Sequence, residues 1–265
     1  MSSETPATPG KPVIVSEQRG SVAVLRINRP EAKNAVNGDV AREMEAALDA
    51  CEADDRILAV IVTGTGDVFC AGADLKRVAK SEGGQLATKR GGFGGITTRE
   101  FSKPIIAAVN GHALAGGFEI VLACDLVVAA DDANFGIPEV KRGLFAAAGG
   151  LIRLPNRIPT ATAMELALTG DPISAGRAFE LGLVNRVVPR AEVLDAALAL
   201  AERVCANAPI AVRNSRTMVR EARDLTEAEA WPRNYELAME VFSTKDSIEG
   251  ATAFAEKRPP KWTGT

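Results

Sequence analysis

Between Pro104 and Ala130 the chain reads PIIAAVNGHALAGGFEIVLACDLVVAA. A run this long and this apolar either crosses a bilayer or enters a protein core. Asn110, Glu119 and Asp125 interrupt it, and glycines break it into short pieces. Charged groups are expensive in hydrocarbon. The stretch therefore predicts a buried strand ending at Gly111, a helix GGFEIVLAC opening on a glycine pair, and a second strand, DLVVAAD, from Asp125.

The same grammar occurs earlier. ILAVIVTG, Ile57 to Gly64, is a β-branched run closed by glycine, the pattern of a strand buried on both faces in a parallel sheet. Strand, glycine-rich turn and helix thus occur twice, over Gly64 to Lys76 and Gly111 to Cys124, which makes the fold class α/β. Val13 to Glu17 and Ser21 to Ile27 read as a hairpin around Arg19-Gly20. Asn37 is placed to cap a helix from about Gly38 to Cys51, with Val40, Met44, Ala47 and Leu48 inward. Beyond about Ile158 the chain turns mostly helical, and only VNRVVP, Val184 to Pro189, reads as a further strand. SEGGQLATKRGGFGG, Ser81 to Gly95, reads as a mobile loop beside a substrate pocket. The N-terminal MSSETPATPGKP lacks a basic region followed by an apolar core and reads as a short disordered lead, not a signal or transit peptide. The expected organisation is a lead over residues 1–10, a core over 11–200 and a helical region over 201–265.

Composition narrows the function classes. The chain has 265 residues and a formal charge of -3, with no dense Lys/Arg run, which argues against a nucleic-acid surface. Cys51, Cys70, Cys124 and Cys205 lie far apart, and His112 is the single histidine. Without CxxC or HExxH spacing the usual zinc motifs are absent, and buried free thiols in a reducing, cytoplasmic setting are expected. There is no GxSxG elbow, no GxxxxGK(S/T) phosphate loop and no GxGxxG fingerprint.

Two carboxylates remain. Glu119 lies in the first turn of an otherwise apolar helix, where an unpaired charge costs several kcal/mol, and Glu139 follows a proline in FGIPEV. Taken singly, each has a plain reading: an acid at a helix N-terminus, and a surface glutamate after a turn. FCAGADLK, Phe69 to Lys76, adds a thiol, a carboxylate and an ammonium around Gly72.

Five blocks, in order, resemble the enoyl-CoA hydratase/isomerase (crotonase) superfamily. They are INRPEAKNAVN (Ile27 to Asn37), FCAGADLK, VNGHALAGGFEIVLACDLVVAA (Val109 to Ala130), FGIPEVKRGL (Phe135 to Leu144) and EGATAFAEKRPPKW (Glu249 to Trp262). The resemblance runs from about Val13 to Gly264. It implies a crotonase (ClpP-like) spiral of ββα repeats with C-terminal helices that build a homotrimer or a hexamer. It also implies an acyl-CoA thioester substrate, with no cofactor beyond the coenzyme A that the substrate carries, and no nucleic-acid or membrane partner.

By motif position the backbone N–H groups of Ala73 and Gly116 would form an oxyanion hole for the thioester carbonyl, stabilising an enolate-like state by a few kcal/mol. Glu119 and Glu139 would be the acid/base pair that hydrates a trans-2-enoyl-CoA. Ala32, Ala71, Asp74, Leu75, Lys76 and Ala147, and Lys257 from a neighbouring subunit, match substrate- or CoA-contacting positions. Asp74 also reads as the cap of the following helix, and Cys70 as a small buried neighbour. Three departures stand out: Ala115 where many hydratases have glycine, Ala146-Ala147 in place of Pro-Gly, and Glu31 where a basic residue is common. Alternatives within the same resemblance are Δ3–Δ2 isomerisation and a carnitinyl-type dehydration. A non-catalytic binding protein is the alternative from another class.

Overall fold

The computed structural model describes residues 11–79 and 83–265. The expected lead over 1–10 lies outside them, as does Ser81 at the start of the expected loop. β1 (Ile14–Arg19) and β2 (Val22–Ile27) form the expected hairpin, Ile14 opposite Ile27 and Arg19 opposite Val22. α1 (Gly38–Ala53) opens at Asn37, whose Oδ1 accepts the Val40 N–H at 3.0 Å. Val40, Met44, Leu48 and Cys51 are buried on one face of it, at helical spacing. At its far end the buried Lys103 donates from Nζ to the carbonyls of Cys51 (2.7 Å) and Asp54 (2.8 Å). Those orphan carbonyls of the helix end thereby gain a cation.

The apolar runs become strands of one sheet. β3 (Ala59–Gly64) is buried at all six positions and is followed by the short β4 (Val68–Cys70) and α2 (Leu75–Val78). β5 (Ala87–Thr88) and β6 (Gly92–Phe93) make a small hairpin. Then come β7 (Ile105–Val109), β8 (His112–Leu114), α3 (Gly116–Ala123), β9 (Leu126–Ala130) and β10 (Asn134–Gly136). After α4 (Gly150–Arg153) and α5 (Thr160–Thr169) follow β11 (Ile173–Ser174), α6 (Ala175–Glu180) and β12 (Arg186–Val188). The first sheet has the order β1-β2-β3-β7-β9-β12, parallel from β2 onward. The second has the order β11-β10-β8-β4.

Each turn of the chain lays a long strand in the first sheet, a three-residue strand in the second, and then a helix or helical turn. Two such turns are expected from the glycine pattern; the structure has a third, β9–β10, whose helical turn is the 3₁₀ segment Pro138–Arg142. This is the spiral of ββα units that the resemblance implies.

Two expectations need correction. The segment from residue 83 on is folded: a 3₁₀ turn Gly83–Leu86 leads into the β5–β6 hairpin, which is tied to α1. Glu45 accepts bonds from Thr88 Oγ1 and, at 2.8 Å, from the Gly91 N–H, and Arg90 pairs with Asp49. VNRVVP is not the last strand unaccompanied, because β11 pairs antiparallel with β10. The boundary expected at residue 200 falls inside α7 (Val193–Cys205), which lies across β2, β3, β7 and β9. α8 (Pro209–Glu221), α9 (Glu227–Phe242) and α10 (Lys245–Glu256) complete the chain. Among the described residues no helix is long and apolar enough to cross a membrane.

Candidate active site

The site forms where the second sheet ends and two turns of the spiral touch. Beyond β4, the Val36 N–H donates to the Gly72 carbonyl (2.8 Å) and the Asp74 N–H to the Val36 carbonyl (2.9 Å), a parallel bridge between Val36 and Ala73. The residue between two such bonds turns its own N–H to the other side. Ala73 N–H therefore faces away from Val36. On that side Gly72, at φ +91°, lies so close to the next turn that a Cβ would meet Ala115 Cβ at 2.7 Å and Gly116 N at 2.9 Å.

Gly116 is the first residue of α3, where a helix N–H has no intrahelical acceptor. The N–H groups of Ala73 and Gly116 are thus both left over by their own secondary structure, on turns in contact. The glycines at this contact are small because of their neighbours within the chain. Gly72 is small because two backbones touch there. Gly116 is small because a Cβ would run into the Phe93 ring, 2.5 Å from Cζ.

The preceding Ala115 holds φ +53°, ψ −132°, a region natural to glycine, while its N–H donates to the Gly136 carbonyl at 2.9 Å. That bond ties the turn before α3 to β10, and β10 leads directly to Glu139.

The side chains of FCAGADLK are otherwise engaged. Cys70 Sγ accepts the Gly72 N–H at 3.4 Å, and burial pushes its thiol up to about 12. Asp74 Oδ1 accepts the Lys76 N–H at 3.2 Å, the expected cap. Its other oxygen pairs with Arg29 at 3.1 Å, largely shielded from solvent, so its carboxylate is spent on structure. Ala71 and Ala32 are half-buried, and Leu75 and Lys76 are exposed at the start of α2. His112 lies 3.2 Å from Asn134 Nδ2 through Nδ1, between β8 and β10.

Glu119 sits in α3 at 3% exposure, and its Oε1 accepts the Gly150 N–H at 2.8 Å. Burial raises its pKa, against the pull of the Gly150 and Ala148 N–H groups and of the Arg153 charge. Glu139 stands in the 3₁₀ turn after β10, half-buried, and its Oε2 is enclosed without any hydrogen-bond partner. Burial, joined by the charge of Glu119 and opposed by its own backbone N–H, pushes it up to about 7. The Glu119 charge thus acts on Glu139, and their surroundings differ: Glu119 is held by the N–H groups of the Ala148–Gly150 turn, while Glu139 has only its own backbone N–H and leaves Oε2 without a partner.

Ala147 is exposed, Ala146 is buried, and the N–H groups that reach Glu119 belong to the residues just after them. Lys257 is exposed at the C-cap of α10 in the left-handed region, and among the described residues no hydrogen bond of its side chain links it to the site.

Sequence reading passes over Phe93, Gly150 and Arg153. Only GGLIR following AAA marks the last two, and nothing in that string names their partners.

The sequence model of the family described as enoyl-CoA hydratase/isomerase matches residues 17–265. The chain is 39% identical over 257 residues to an enoyl-CoA hydratase of Mycobacterium tuberculosis, covering 95% of this chain and 96% of that protein. It is 37% identical over 252 residues to a carnitinyl-CoA dehydratase of Proteus mirabilis, covering 93% and 96%. Among solved structures, an enoyl-CoA hydratase from Mycobacterium tuberculosis superimposes with a TM-score of 0.92 at 50% identity, over 96% of this chain and all of that one. A carnitinyl-CoA hydratase from Mycobacterium avium gives 0.76 at 44%, over 97% of this chain and all of that one.

Proposed function

This chain belongs to the enoyl-CoA hydratase/isomerase family, and on that premise we propose that it adds water reversibly to a trans-2-enoyl-CoA, giving a 3-hydroxyacyl-CoA. The observation that carries this reading is the unlike pair. At Glu119 backbone donors favour the carboxylate against the burial that raises its pKa, while Glu139, with Oε2 unpartnered and pushed up to about 7, keeps a proton near neutral pH.

The steps follow from those states. The Ala73 and Gly116 N–H groups receive the thioester oxygen. Glu119 takes a proton from water as the water oxygen bonds to the β-carbon, and the π electrons move toward the carbonyl. The charge accumulating on that oxygen is met by two donors already in place. Glu139 then gives its proton to the α-carbon, and the carbonyl reforms. No metal or redox partner enters this balance.

Lys257 and Lys76 fit as contacts to the phosphates of coenzyme A, Lys257 from a neighbouring copy. A homotrimer or hexamer is supported by the apolar stripe of α9, where Trp231, Tyr235 and Phe242 are 62%, 67% and 68% exposed at helical spacing.

A second reading, dehydration of a carnitinyl-type hydroxyacyl-CoA, is the same chemistry in reverse, and it draws support from the relatives named for that substrate. Loss of the conjugated thioester absorbance with 2-enoyl-CoA, against its appearance with carnitinyl-CoA, separates the two. Glu119→Gln and Glu139→Gln should each abolish turnover while a CoA thioester still binds. Full activity in either variant refutes the two-glutamate mechanism.

A further inference from the structure

Arg153 ends α4, three residues after the glycine that bonds Glu119. Its Nη1 donates to the Ala148 carbonyl at 3.2 Å and its Nη2 to the Thr97 carbonyl at 2.5 Å. One guanidinium thus joins two segments that are distant in sequence. The first is the exit of the β5–β6 hairpin, whose Phe93 lies on Gly116. The second is the turn that offers N–H groups to Glu119. Gly149, at φ +104°, lets Arg153 fold back over that turn, since a Cβ there would occupy the place of the guanidinium.

Both bonds go to neutral carbonyls, and among the described residues no carboxylate lies within ion-pair distance of Arg153. The positive charge is faced by Arg220 of α8, by Arg223 beyond it, and by the neutral thiol of Cys124 at the end of α3. Asp125, the acid nearby, is taken up by Arg216 at 2.7 Å and Arg220 at 2.8 Å. The anion that Arg153 acts on is Glu119, and Glu119 in turn is faced by Arg153 from α4 and by Glu139 from the turn after β10.

We propose that Arg153 is the positioning residue that keeps Glu119 the ionised member of the pair, by lending it a positive charge and by holding the Ala148–Gly150 turn whose N–H groups bond it. This rests on the two-glutamate reading above. Two similar carboxyls in one pocket would otherwise share a proton, and neither would be reliably the base. Arg153 breaks that symmetry while its own hydrogen bonds go to the Ala148 and Thr97 carbonyls. A lysine could supply the charge, but its single ammonium cannot reproduce the planar two-carbonyl bridge.

The test uses the full-length protein labelled with ¹³C at the glutamate carboxyls, with the two signals assigned through Glu119→Gln and Glu139→Gln. In the wild type the Glu119 carbon should titrate below that of Glu139. In Arg153→Gln its midpoint should rise by about one pH unit, a roughly tenfold gain in proton affinity. The acid limb of kcat/KM for a short trans-2-enoyl-CoA should move with it, with kcat down about tenfold and KM within about twofold. Arg153→Lys should keep the limb near its wild-type position while still lowering kcat.

Three results overturn the proposal: Glu119 titrating above Glu139 in the wild type, an unmoved midpoint in Arg153→Gln, or a lysine variant shifted as far as the glutamine one. Should Arg153→Gln fail to fold, the wild-type titration and the lysine variant still decide. A wild type that hydrates no enoyl-CoA, but whose Glu119 signal still moves on substitution of Arg153, refutes the proposed function and leaves the positioning role standing.

Discussion

Glu139 makes a prediction that needs no substrate. Its carboxyl is pushed up to about 7 from an ordinary value of 4.5, first by burial and then by the neighbouring Glu119 charge. In the unfolded chain neither cause acts. Between those two values the folded protein holds a proton that the unfolded chain has released. Stability therefore falls as pH rises through that window.

At about 1.4 kcal/mol per pH unit the full gap is about 3 kcal/mol, and allowing for partial solvent screening at a half-buried site leaves about 2 kcal/mol. Glu139→Gln removes the titration but keeps the shape. Measured against the wild type by urea unfolding, the variant should gain about 2 kcal/mol of relative stability between about pH 5 and about pH 8. For 265 residues that corresponds to a shift of about 4 °C in the difference between the two melting temperatures.

The unpartnered amide costs the same at both pH values, so it cancels from the comparison. In a Glu119→Gln background the neighbouring charge is gone, and the pH-dependent gain should shrink. A difference between variant and wild type that does not change with pH, or that changes in the opposite direction, would refute the claim that burial and Glu119 hold the proton on Glu139.

Two further perturbations probe the turn into α3. Gly116→Ala keeps the N–H but drives a methyl into the Phe93 ring, and overpacking of that kind costs about 1–3 kcal/mol. Adding Phe93→Ala should recover much of that loss in a double-mutant cycle read by thermal unfolding, and strict additivity would show that the ring is not the obstacle. Ala115→Gly should relieve the φ +53° strain and raise stability by about 1 kcal/mol, measured in urea; a loss would mean that the alanine is not strained there.

What could be read in advance depended on how local the physics was. The strands around Ile61, Ala107 and Val128 announce themselves because burial on both faces leaves a continuous apolar run. Asn37 announces α1 because its cap is made within three residues. The strands β4, β8 and β10 carry three residues each, too few for any period to register. The third turn of the spiral lacks the glycine-rich stretch that marks the other two and therefore passes unseen, although it carries Glu139. The segment after residue 83 reads as a solvent loop by its glycines and charges. Its order comes from Glu45 and Asp49 on α1, more than 40 positions earlier.

The site divides along the same line. Ala73, Gly116, Glu119 and Glu139 are readable only as positions that the family resemblance implies; taken singly, each glutamate has a plain reading. What makes the two glutamates unequal is not in those motifs. Glu119 takes its bond from a residue 31 positions away, and Arg153 reaches Thr97 across 56. A pattern of residues can therefore single out two carboxyls, but it cannot say how differently the fold surrounds them. The difference between them arises only when the spiral brings α4 over α3 and leaves Glu139 Oε2 without a partner, so the unlike surroundings of two identical side chains are a property of the packing.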